Sequence, residues 1–112
     1  MTRLPTHLWV SAHLRTANLQ GIPVVVARRG DRERGTVILK LNRLEHGCTV
    51  LVQVRQDGGD DLVWSRATGP EPVAEAEADR YIERQVRFDP DVWVIEVEDR
   101  QGRSVFEGKI IG

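Results

Sequence analysis

One cysteine, Cys48, stands in 112 residues, so no internal disulfide can form and no thiolate metal cluster can be built. A reducing compartment is the simplest setting. No apolar run approaches the ~20 residues of a membrane span. The N-terminal run Leu8-Trp9-Val10 is interrupted by His13 and Arg15 before it could act as a secretory core. These absences predict a cytoplasmic protein with no membrane partner. A dominant charge is missing as well: 16 basic and 17 acidic residues leave a formal charge of −1. The chain therefore lacks the global positive field of a dedicated nucleic-acid binder, and any such role needs a local patch. Lysine is scarce, two of the 16 cations, and the rest are arginine, which suits bidentate pairing with carboxylates.

The familiar catalytic signatures are also lacking. Gly30 to Gly35 carries no following lysine and opens a strand rather than a helix, which excludes a phosphate loop. His7, His13 and His46 have no ligand spacing, and His7 and His13 point about 240° apart on a helix. Cys48 sits beside a valine-rich strand and reads as a small buried hydrophobe, since the turn residue His46 is the one base that could be assigned to it. No cofactor is expected.

What is present is a strong pattern of elements. The length fits one domain over residues 1–112, large enough to remove about two-thirds of its unfolded surface from water. Phe88 to Arg100 organises the chain. Pro90 disfavours helix for the residue before it, so the preceding helix should end near Phe88. A strand should follow, with Trp93, Ile95 and Val97 on its dry face and Val92, Val94, Glu96 and Glu98 on the other, wet at its far end.

Before that stretch, Thr6 is a candidate N-cap for a helix over 7–20, stopped by Gly21 and Pro23. Leu8, Trp9, Ala12 and Leu19 form one apolar stripe of this helix, and Val10, Leu14 and Ala17 another. Two stripes need two partners, either within the chain or in a second copy. The continuous run Val24 to Ala27 predicts an interior strand. The segment 30–35 then predicts a hairpin turn into a strand over 36–41. Turns at 45–47 and 57–60 bracket a third strand containing Val50, Val52 and Val54, and a short fourth strand spans 62–66. Alanine and opposite charges over 73–86 predict an amphipathic helix, and 104–111 supplies a closing edge strand.

This α-β-β-β-β-α-β order predicts an α+β domain, a mainly antiparallel sheet in the order 5-1-2-3-4 with both helices packed on one face. The opposite face would then stand open, carrying Ile38, Lys40, Leu51, Gln53, Arg55, Val92, Val94, Glu96 and Glu98.

Three stretches, Leu8-Trp9-Val10-Ser11-Ala12, Ala27-Arg28-Arg29-Gly30-Asp31 and Arg87 to Arg100, resemble a small bacterial family, domain of unknown function 1491, over nearly the whole chain. The resemblance implies a bacterial, chiefly alphaproteobacterial, cytoplasmic protein with no assigned activity. It supplies no functional residues.

The residues themselves favour a non-enzymatic binding or protein-interaction module. Its contact surface would be the apolar open face with a charged rim, covered in a homodimer or by an unknown protein partner. The second reading is an anion or nucleic-acid contact through Arg28, Arg29, Arg32 and Arg34. The third is a metal-dependent hydrolase using Asp91, Glu96 and Glu98. It is weakened because four residues cannot hold a turn and second strand between Asp91 and Glu96, and because Glu98 stands where a lysine should.

Overall fold

In the computed structural model, which describes residues 4–54 and 62–112, the chain runs α1 (Thr6–Gln20), β1 (Val24–Arg28), β2 (Val37–Asn42), β3 (Cys48–Val54), β4 (Val63–Arg66), α2 (Glu75–Phe88), β5 (Trp93–Glu98) and β6 (Lys109–Ile111). The α+β class and the element order follow the sequence, with β6 as the closing strand. Gly21 ends α1 in the left-handed region, φ 71°, its N–H reaching the carbonyls of Ala17 and Asn18. α2 stops at Phe88, two residues ahead of Pro90.

The sheet order is β1-β5-β2-β3-β4-β6, which corrects the expected 5-1-2-3-4. β5 lies between β1 and β2, antiparallel to the first and parallel to the second, so β1 and β2 are no hairpin. β1 is an edge strand rather than an interior one, and Val25 is 61% exposed. Its all-apolar run had suggested cover on both faces, yet only one of its faces is covered.

The same topology corrects the placement of the helices. β2, β3 and β4 run alternately antiparallel and β5 is parallel to β2, so β4 and β5 point the same way. The chain between parallel strands must cross a face of the sheet, and α2 is that crossover. α2 packs Ala78 and Ile82 onto Ile38, Val50, Val92 and Val94. α1 packs Val10 and Ala17 onto the opposite face, against Val37, Leu39, Ile95 and Val97. The helices thus lie on opposite faces, and α2 covers Ile38, Lys40, Val92 and Val94 of the face expected to be open, whereas Leu51 and Gln53, expected beside them, belong to the α1 side. Each fully buried aliphatic side chain in these two layers contributes about 1.5–3 kcal/mol. Arg55 and the turn at 57–60 lie outside the described residues.

The alternation of β5 survives these changes. Trp93, Ile95 and Val97 join the α1 layer and Val92 and Val94 the α2 layer, while Glu98 is exposed at the wet end. Beyond β5 the chain crosses the α1 face, burying Phe106, and β6 pairs in parallel with the outer edge of β4.

Candidate functional site

Two charged arrangements stand at opposite ends of the sheet. The first is centred on Lys40. Its ammonium lies 2.7 Å from Glu75 Oε2, 2.8 Å from Asp79 Oδ1 and 3.6 Å from Glu96 Oε1. Asn42 Nδ2 donates to Glu96 Oε2 at 3.0 Å and Glu75 Oε2 at 3.3 Å. Glu75 and Asp79 are one helical turn apart on α2, so both reach down to a lysine on β2. Glu96 comes from the cross-strand neighbour of Lys40. Burial alone would disfavour the charged lysine, but the hydrogen bonds it donates to the Asp79 and Glu75 carboxylates, with the charge of Glu96, outweigh it and push its pKa above the ordinary lysine value. An ammonium held this firmly is no nucleophile or base. It fastens α2 to the sheet.

Cys48 is buried in the same α2 layer, and burial pushes its thiol above the usual range. That environment suits a small packed hydrophobe. Among the described residues no group of three or more His, Cys, Asp and Glu side chains is arranged to hold a metal ion. The three residues of the hydrolase reading are dispersed: Asp91 sits at the mouth of β5, Glu96 is bound to Asn42 and Lys40, and Glu98 faces solvent.

The second arrangement is the loop of residues 29–36, which clasps the start of β5. Asp31 N–H donates to Asp91 O at 2.9 Å, Trp93 Nε1 donates to Asp31 O at 2.7 Å, and Trp93 N–H donates to Thr36 O at 2.8 Å. Arg28 Nη1 donates to Pro90 O at 2.9 Å and Val92 O at 3.2 Å. Gly30 and Gly35 permit this approach, since a Cβ on either would collide with the Asp91 carbonyl oxygen and the Trp93 ring. The loop also caps α1: Thr6 N–H donates to Glu33 O and His7 N–H to Arg32 O, at 3.1 and 2.9 Å. Thr6 is therefore no N-cap. It is already helical, and its hydroxyl ties Gly35 O at 2.8 Å.

The clasp is built from backbone groups, the Trp93 indole and the Arg28 guanidinium, leaving three arginine side chains over. Arg29, Arg32 and Arg34 are exposed and make no ion pair among the described residues. At the same end of the sheet Phe88, the last residue of α2, is 85% exposed. It is held close to the loop because its neighbour Asp89 accepts a hydrogen bond from Thr36 Oγ1 at 3.5 Å.

The structure therefore divides the residues proposed from sequence. Arg29, Arg32 and Arg34 come together with Arg28 at the clasp. Lys40 and Glu96 meet in the ion cluster, whereas Val92 and Val94 are buried beneath α2 and cannot form an exposed contact surface. Phe88 was treated only as a helix terminus. Its signal was an aromatic residue at the end of a helix, turned well away from the core positions Ile82 and Val86.

A further aromatic cluster had no clear sequence signature. Trp9, His13 and Phe106 pack together, with the His13 and Phe106 rings stacked 5.2 Å apart. Glu107 accepts from Trp9 Nε1 at 3.1 Å through its carboxylate and from Trp64 Nε1 at 2.9 Å through its carbonyl. These contacts fasten the C-terminal segment across α1.

The model for a family of proteins of unknown function, DUF1491, matches residues 4–107. Two solved structures of a DUF1491 family protein from Caulobacter crescentus CB15 are similar along the full chain. The crystal structure shares 33% identity, TM-score 0.82, over 99% of this chain and 100% of that one. The NMR structure shares 34%, TM-score 0.84, over 100% of both. A solution structure of protein Atu0922 from A. tumefaciens, at 22% identity and TM-score 0.76 over 94% of this chain and 93% of that one, shares the fold. No curated protein matches the chain.

Proposed function

The chain belongs to the DUF1491 family, whose function is unknown, and from that premise we propose that it is a non-enzymatic cytoplasmic interaction module whose contact surface is the clasp end of the sheet. One observation carries the reading. An aromatic side chain with 85% of its surface in water stands at the same end of the sheet as arginines that the fold itself does not use, next to a backbone held by the clasp. Aromatic and arginine side chains anchor most protein contacts, and a rigid mount lowers the entropy lost on binding. The other strongly placed charge, Lys40, is matched by its own carboxylates and leaves nothing for a substrate.

Arginine beside an aromatic also suits single-stranded nucleic acid. Carboxylates decide against it. Asp31, Glu33, Asp89 and Asp91 share this end with Arg28, Arg29, Arg32, Arg34 and Arg87, so a polyanion meets an almost neutral surface. Photocrosslinking in the native bacterium tests the proposal. With benzoylphenylalanine at position 88, and at exposed Leu19 as control, a protein adduct is expected at 88 alone and should fade when Arg32 and Arg34 become glutamate. Equal adducts at both positions, or none at 88, would overturn it.

A further inference from the structure

We infer that the partner at the clasp end is a second copy of the chain, joined about a two-fold axis with Phe88 at its centre. This rests on the reading of that end as the contact surface. A two-fold contact brings a patch against itself, so the patch must carry both signs of charge and an apolar centre. The clasp end meets that requirement. Arg32, Arg34 and Arg87 are exposed and unpaired among the described residues, and so are Glu33 and Asp91. Neither carboxylate accepts a hydrogen bond there, whereas neighbouring Asp31 and Asp89 are both occupied by the fold. Within one copy these charges stand at one end of the sheet, on the loop, α2 and the start of β5, and do not meet. Against a second copy, Glu33 and Asp91 each meet an arginine of the other chain.

Two other exposed apolar surfaces lack this match. Leu8 and Leu19 line the outer side of α1, where Arg15 is the one residue of fixed charge. Val25 lies on the β1 edge, where Pro23 and the register shift after Val26 leave only a short unpaired stretch. An isologous contact at the clasp end leaves both of those surfaces uncovered and ends assembly at two chains.

Sedimentation equilibrium of the full chain, with reciprocal charge variants, tests the inference. The native chain is expected to weigh as a dimer at high micromolar concentration, and Phe88→Asp to raise the dissociation constant by about 30-fold or more, as for a central aromatic anchor. Arg32→Glu with Arg34→Glu in one chain, and Glu33→Arg with Asp91→Arg in another, should each weigh as monomers. Mixed together, they should restore a heterodimer. Unchanged unfolding midpoints would show that these surface variants fold.

A native monomer overturns the inference, as does a dimer indifferent to Phe88→Asp or a mixture that stays monomeric. The wider reading fails separately. If the native chain is a monomer and position 88 still crosslinks to a different protein, the contact surface stands and only its occupant is wrong.

Discussion

Replacing Lys40 with methionine keeps the length of the side chain and removes its charge, leaving Glu75, Asp79 and Glu96 gathered around an apolar tip. The Lys40 side chain is 8% exposed, while those of its partners are 56%, 49% and 29% exposed. Breaking a fully buried pair costs about 3–5 kcal/mol. Here the orphaned carboxylates can turn toward water, so the expected loss is about 2–3 kcal/mol. With an m-value of about 1.3 kcal/mol per molar, the urea midpoint should fall by about 2 M. Tryptophan fluorescence reports the transition, because Trp64 and Trp93 are buried in the core. The pH dependence has a definite sign. The folded chain binds the Lys40 proton more tightly than the unfolded chain. The stabilisation is therefore complete below the unfolded lysine value of about 10.4 and fades as pH rises above it, while the methionine variant lacks that alkaline decline. A midpoint change under 0.5 M would refute the claim that this cluster fastens α2.

Gly35→Ala should lower stability by about 2–3 kcal/mol and slow-exchanging amides at the start of β5 should lose protection, because the new methyl group meets Asp91 O and the Trp93 ring; wild-type melting would disprove the close approach. The carboxyl of Asp99, hydrogen-bonded by the Arg103 side chain and backbone, is held down at about 2. Its contribution to stability is thus present above about pH 4 and lost as pH falls toward 2, and a carboxyl NMR titration centred near 4 would contradict this. Cys48 should react with a thiol reagent more than about 100-fold faster after denaturation than before, given its burial and raised thiol; equal rates would show that the α2 layer opens readily.

The local elements were legible because their signals are local. Pro90 ended α2, Gly21 ended α1, and the alternation from Val92 to Glu98 assigned both faces of β5 correctly. The tertiary arrangement was not legible in the same way. Nothing in Val24 to Ala27 distinguishes a strand covered on both faces from an edge strand whose second face lies beyond the reach of α2. The insertion of β5 between β1 and β2 depends on Gly30 and Gly35, which read as ordinary turn glycines until Asp91 and Trp93 are seen packed against them. The parallel relation of β4 and β5, which sends α2 across the second face, likewise follows from pairing and not from periodicity.

The candidate site was half legible for a related reason. Four arginines around one loop are visible in sequence, but which of them the fold uses is not. Arg28 holds β5, while Arg29, Arg32 and Arg34 project outward. Lys40, taken from its alternation as an outward residue, becomes buried once α2 covers its face.

Hydroxyl-radical footprinting of Phe88 at 1 and 200 μM protein tests the central claim most directly, since the modification rate of a side chain follows its exposure to water. At 1 μM Phe88 should be modified rapidly, in keeping with its 85% exposure, and at 200 μM it should be protected several-fold while Leu19 is unchanged. Equal modification of Phe88 at both concentrations, or protection of Leu19 instead, would contradict the assignment of the clasp end as the surface through which two copies of this protein meet.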